Sequence, residues 1–394
     1  MEEYLAGPSS GAPSAPVEEG WAWPPVVLSL LAVKLLLFLT GLLSVILLPP
    51  MFNWGSVMAN FHWPPGQGSF WYNMLKTWDA NQYLYLSEVG YQPGQMADAM
   101  YPLWPLLIRV GRFLFRDSLL SAFLLSNLFS LAALAVYHRL VSKSQGRQVA
   151  DLALILCLAF PGALYYCLAY SESLFLLLTV CFYAALRDRR YITASMLGLL
   201  CPLTKAIGIF VSLPLAWSIW HDWRDKKVNA SYFFLVCSPI IGFAAYFLIM
   251  YLSTGNLFAG FEAQGSYVAQ VSIGKILNPL TLIKNFFSIQ YGHTFMSSPI
   301  DRLWFVMVVL GLIYMFKHDK IGFVYVLPAA LVPALTTSFM SYTRYVAPLF
   351  PLFTAYGGFL ANPRRRFIFW GMVVVMAVVQ VFFLIRQINY YWVG

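Results

Sequence analysis

Four ionisable side chains from distant parts of the chain have the types and settings that could do chemistry. They are Asp79 in Trp78-Asp79-Ala80, Glu172 in Tyr170-Ser171-Glu172-Ser173, Lys205 in Pro202-Leu203-Thr204-Lys205, and Arg344 in Tyr342-Thr343-Arg344-Tyr345. A carboxylate beside cations under a low-dielectric rim suits removal of a proton from a hydroxyl, with the cations stabilising a departing phosphate. Each residue also has a plainer reading. Asp79 could cap a helix starting at Ala80 or pair with Lys76 one turn earlier. Glu172 could be a first-turn carboxylate favoured by the helix dipole, with Ser171 as the cap. Arg344 could snorkel to outer headgroups. Lys205 is harder to dismiss, because a lysine at membrane depth costs roughly 2.5–3.5 kcal/mol on insertion scales.

The elements that must position these groups are set by composition. Apolar and aromatic residues make up 60% of the chain and charged residues 10%. Such a balance excludes a soluble domain and predicts a multi-pass membrane protein of about ten apolar segments. The net charge of +9 does not point to nucleic acid, because the basic residues fall in short inter-segment clusters. Arg139/Lys143/Arg147, Arg187/Arg189/Arg190, Arg224/Lys226/Lys227, Lys317/Lys320 and Arg364/Arg365/Arg366 mark cytoplasmic loops by the positive-inside pattern. With those loops inside, the four candidate groups gather on the non-cytoplasmic face. The five cysteines have no ligand or framework spacing and read as small apolar residues.

Residues 1–24, rich in Gly, Pro, Ser and Ala, read as a disordered cytoplasmic tail. Residues 25–394 read as one transmembrane domain with outer loops at about 50–117 and 253–301. Spans are expected at 25–48, 118–138, 149–167, 171–187, 229–252, 302–317, 321–340, 344–361 and 367–388. The run 191–220 lies between two basic clusters and is too short for two crossings, so it is expected to enter, break near Pro202–Lys205 and return. In the first outer loop Phe70, Trp71, Met74, Leu75 and Trp78 recur at the spacing of an interfacial amphipathic helix. Tyr390, Tyr391 and Trp392 are expected in the outer aromatic belt. Lys34 reads as snorkelling or bundle-facing, and Asp98 and Glu262 as solvated loop carboxylates. His293 and His318 are lone histidines without the spacing of a metal site.

In order along the chain, Trp78-Asp79-Ala80, Tyr83, Glu88, Gly90-Tyr91, Tyr101-Pro102-Leu103-Trp104-Pro105, Phe160-Pro161, Tyr170-Ser171-Glu172-Ser173, Thr204-Lys205, Gly208 and Arg344-Tyr345 carry a family likeness. The series resembles the family of the second mannosyltransferase of the GPI-anchor pathway and its prokaryotic relatives, within the GT-C glycosyltransferases. The resemblance implies an all-α polytopic bundle of GT-C type with interfacial helices in the first outer loop. It implies an inverting transfer from a polyprenyl-phosphate-linked sugar, typically mannose, to an acceptor hydroxyl on the outer face, with no cofactor. Asp79 would be the general base. Trp78, Tyr83 and Glu172 would contact or support the substrates, and Lys205 and Arg344 would meet the donor phosphate. Two positions depart from the family pattern. Lys205-Ala206-Ile207-Gly208 stands where arginine, a polar residue and glycine are usual, and Gly255-Asn256-Leu257 stands where relatives have Gly-Asp-Pro. A lipid-sugar transporter is the rival reading, since a re-entrant segment and a buried lysine fit that class too.

Overall fold

The computed structural model describes residues 23–47, 51–65, 70–267, 273–278, 280–288 and 298–393. The tail at 1–22 and His293 lie outside the described residues. Within them every regular element is helical. Five helices are long and apolar enough to cross a membrane: Pro25–Leu47, Ser118–Gln145, Ala230–Thr254, Pro299–His318 and Pro363–Ile388. Their outward faces carry large bare side chains such as Leu36, Phe234, Ile313 and Phe367. That pattern suits lipid rather than water, and the chain is a multi-pass membrane protein.

The remaining apolar segments are shorter or broken, and prolines explain much of the departure from the expected spans. The expected crossing at 149–167 is two helices, Arg147–Ala159 and Pro161–Cys167, bent by 82°. Pro161 has no N–H to continue the ladder and holds Phe160 in extended backbone at φ −61°, ψ 132°. The expected crossing at 344–361 likewise divides into Tyr342–Val346 and Phe350–Leu360, with Pro348 between them. The helix expected over 321–340 ends at Thr336, and the turn beyond it holds Ser338, Phe339 and Ser341 at positive φ.

The run 191–220 breaks where its sequence predicts. Helices Tyr191–Leu200 and Ser212–Arg224 flank a turn and the short 3-10 stretch Ala206–Val211. Glycine makes the turn possible. A Cβ on Gly208 would lie 2.3 Å from the carbonyl carbon of Cys201 and 2.5 Å from its oxygen. Backbone cannot yield as a side-chain tip can. Gly208→Ala is therefore expected to cost about 1–3 kcal/mol, read as a lowered thermal midpoint in detergent. Gly371→Ala, where nothing lies within 4 Å of the added carbon, is the neutral control; equal midpoints in the two variants would refute the close approach.

Lys34 faces the bundle. Its Nζ donates to Asn127 Oδ1 at 3.0 Å and to the Tyr166 carbonyl at 2.8 Å, tying the first span to the bent segment. The aromatic stripe expected as an interfacial helix between the first two spans does not run as one helix. The helix Phe70–Leu75 stops short of Trp78, which takes φ 50° immediately before the helix Asp79–Glu88. Tyr390 is fully buried rather than belted at the interface, with its ring 5.4 Å from that of Trp78.

Candidate functional site

Asp79 is the first residue of the helix Asp79–Glu88, and the positive φ of Trp78 turns the chain into it. It is neither an isolated cap nor paired with Lys76: its Oδ2 accepts from Arg344 Nη1 at 2.5 Å. Arg344 sits in the short helix Tyr342–Val346. Its Nε donates to Glu172 Oε1, and its guanidinium lies 4.7 Å from the Tyr170 ring centroid. Glu172 opens the helix Glu172–Arg187 and also receives Lys205 Nζ at 2.8 Å. Four groups from four parts of the chain thus form one chain of ion pairs, Asp79–Arg344–Glu172–Lys205.

Burial sorts these groups. Glu172 is 0% exposed and Lys205 and Arg344 are 8% exposed, while the Asp79 side chain retains 18%. Two carboxylates against two cations keep the cluster formally neutral, which is what permits charge at this depth. Glu172 Oε1 takes both cations, while Oε2 is buried without a hydrogen-bond partner among the described residues. Asp79, by contrast, opens on a cavity.

That cavity has a volume of about 370 Å³. Asp79, Tyr83, Lys205, Arg344 and Tyr345 form its polar end, and Ile207, Phe210, Phe243, Phe247, Phe261 and Val332 line much of the rest. Tyr267, in the segment that follows the span Ala230–Thr254, also faces it. Burial pushes its hydroxyl pKa up, so it remains a neutral O–H donor. Of the residues singled out from sequence, Asp79, Tyr83, Lys205 and Arg344 line the space. Glu172 and Trp78 do not. Glu172 stands behind the cations as their shared counter-ion, and Trp78 packs edge-on against Trp392, 5.2 Å between centroids. Trp392 itself is a wall of the cavity.

Several supports were not read from sequence. Asp301 Oδ1 accepts from both the N–H and the hydroxyl of Thr343, at 2.8 and 2.6 Å, and fixes the backbone that carries Arg344. Arg302 donates to the carbonyls of Asn285 and Ser298 at 2.6 and 2.8 Å, tying the loop before this span to its first turn. Gln387 Nε2 reaches Thr77 Oγ1 at 2.8 Å and Tyr170 Oη at 3.0 Å, holding the segment ahead of Asp79. The Tyr83 hydroxyl meets Ser171 Oγ at 3.1 Å, joining the Asp79 helix to the turn before Glu172. An adjacent Asp-Arg pair in the first turn of a span was a legible signal, since buried ions need partners. Gln387 offered none.

Residues 44–213 match the family model described as mannosyltransferase (PIG-V). The match covers less than half of the chain. The matched segment contains Asp79, Tyr83, Glu172 and Lys205, whereas Arg344 and its Asp301 support come from beyond it. None of the curated proteins compared with the chain matches it. Two crystal structures of the Archaeoglobus fulgidus oligosaccharyltransferase align with it, one in complex with zinc and sulfate and one tethered to an acceptor peptide by a disulfide bond. They share 13% and 12% identity, with TM-scores of 0.45 and 0.46, over 91% and 92% of this chain. The aligned part is 53% and 55% of theirs, so the chain spans about half the length of those structures.

Proposed function

We propose that the protein moves a hexose, mannose by family, from a polyprenyl-phosphate carrier to an acceptor hydroxyl on the non-cytoplasmic face, with inversion. The observation that carries this reading is the union of a charged end and an aromatic wall in one cavity. A lipid phosphate-sugar needs both: cations for the phosphate and apolar surface for the chain. Asp79 takes the proton of the acceptor hydroxyl as that oxygen bonds to the anomeric carbon from the face opposite the phosphate. The anomeric C–O bond to phosphate breaks, and the electron pair leaves with the lipid phosphate. Arg344 and Lys205 offset the charge that develops there. Glu172 holds both cations at the cavity end without entering it.

Arg344 occupies Asp79 Oδ2 in the structure. In this mechanism the donor phosphate takes over Arg344 and frees that oxygen for the acceptor hydroxyl, so the donor binds first.

The test is transfer by the purified protein in nanodiscs from polyprenyl-phosphate [³H]mannose to a lipid-linked or alkyl glycoside, with the anomeric configuration of the product determined. Lys205→Met is expected to raise the donor KM at least tenfold, equivalent to about 1.4 kcal/mol of lost phosphate interaction. A protein that moves intact lipid-sugar across the bilayer and forms no product would be a transporter, and this reading would fall.

A further inference from the structure

The second outer loop and the end of the first enclose another cavity, of about 290 Å³, with a different chemistry. Its side chains include Gln95, Asp98, Thr254, Asn256, Glu262 and Ser266, and no lysine or arginine among the described residues lines it. We propose that this pocket binds a hydroxyl-rich saccharide unit of the acceptor, remote from the hydroxyl that receives the sugar. The proposal rests on the glycosyl-transfer reading above and adds where the rest of the acceptor is held.

Three observations lead there. The first is charge and polarity. Two carboxylates without a cation repel a phosphate, and polar walls give an alkyl chain no gain, whereas carboxylates and amides together match the donors and acceptors of a sugar. The second is Asp98, which sequence placed in solvent but which is 1% exposed. Its Oδ1 receives the Gln92 N–H only at 3.4 Å. Burial raises its pKa, backbone N–H groups of Gln92 and Gln95 notwithstanding. A buried carboxylate in that condition gains from ligand O–H donors. Across the pocket, Asn256 Nδ2 donates to Glu262 Oε2 at 2.9 Å and orients the second carboxylate.

The third observation is position. The helix Ala259–Gly265 packs on the 3-10 turn Met96–Ala99, and Gln264 Nε2 donates across the seam to the Ala99 carbonyl at 3.3 Å. Gln264 and Ala99 line the catalytic cavity, while Glu262, Ala263, Met96 and Asp98 line the polar one. Gly260 keeps the seam tight: a Cβ there would come within 1.7 Å of the Tyr246 hydroxyl oxygen. The two spaces therefore share one wall, closed by Gln264 on the Ala99 carbonyl. An acceptor that reaches over this wall, with its reacting hydroxyl in one space, can place a second sugar in the other.

The experiment uses the full chain in nanodiscs with a diazirine-bearing octyl mannoside as probe. Photolabelling is expected within 93–98 and 254–266, displaced by excess octyl mannoside and reduced about tenfold in Asn256→Ala/Glu262→Ala. Labels confined to lipid-facing helices, or unchanged in the variant, would overturn the pocket. In the transfer assay the same variant is expected to raise the glycoside KM about tenfold while the donor KM stays put, as for loss of one or two hydrogen bonds to a charged group. Unchanged glycoside KM in an active enzyme sinks this inference alone. Displaceable labelling of the pocket in a wild-type protein that transfers no sugar would instead remove the function proposed above.

Discussion

Asp79→Asn is expected to lower the turnover of sugar transfer by about 10²–10⁴-fold, the range of general-base catalysis, while the protein stays folded. Asparagine keeps the shape and an oxygen that can accept from Arg344 Nη1, now 2.5 Å from Asp79 Oδ2. What it loses, in the proposed mechanism, is the capacity to take the acceptor proton. Because Arg344 and Lys205 remain, the donor KM should stay within a few-fold of wild type or fall, since Arg344 no longer has to leave a carboxylate. Initial rates over a range of donor concentrations separate the two parameters, and a thermal melt of the same preparation checks the fold. Turnover within about threefold of wild type would assign the proton to another group and leave Asp79 as a structural partner of Arg344.

The second large effect belongs to a residue that never enters the cavity. Glu172→Gln strips two buried cations of their common counter-ion. Removing one partner from a buried ion pair costs about 3–5 kcal/mol, because an uncompensated charge is left in low dielectric. Lys205 and Arg344 both reach Glu172 Oε1, so the loss falls on both. The variant is expected to melt well below wild type and to lose donor binding along with stability. Coupling with Lys205→Met discriminates the cause. If the electrostatic account holds, the double variant should recover part of the stability lost in Glu172→Gln, since the charge left without a carboxylate, Lys205, is gone while Arg344 keeps Asp79. Strictly additive losses, or a wild-type melting point for Glu172→Gln, would show that the shared carboxylate does not hold the cluster together.

The membrane character of the chain was legible because it is a bulk property. A chain with one charged residue in ten has no soluble solution, and clusters such as Arg187/Arg189/Arg190 mark the ends of apolar runs whatever the packing between them. The break at Pro202–Lys205 was legible for a related reason: the run was the wrong length for one crossing or two. The bend at Pro161 was signalled by residue type and still misjudged, since apolar content counts length and ignores the missing N–H. The same holds for Pro348. The Trp78 stripe failed because periodicity sees spacing but not the reversal of φ that separates Trp78 from the helix before it.

For the site, sequence alone determined which side chains are costly enough at membrane depth to need a reason. Asp79, Glu172, Lys205 and Arg344 follow from residue type and setting, and insertion energetics is a property of each residue in its own segment. Only the tertiary structure decided who pairs with whom. It put Glu172 behind the cations rather than in the cavity, supplied Asp301 and Gln387 as supports, and buried Asp98 where solvent was expected. Pairing across separations as long as the 265 residues between Asp79 and Arg344 depends on how helices pack, and packing is set by the fit of many apolar side chains together rather than by any local pattern.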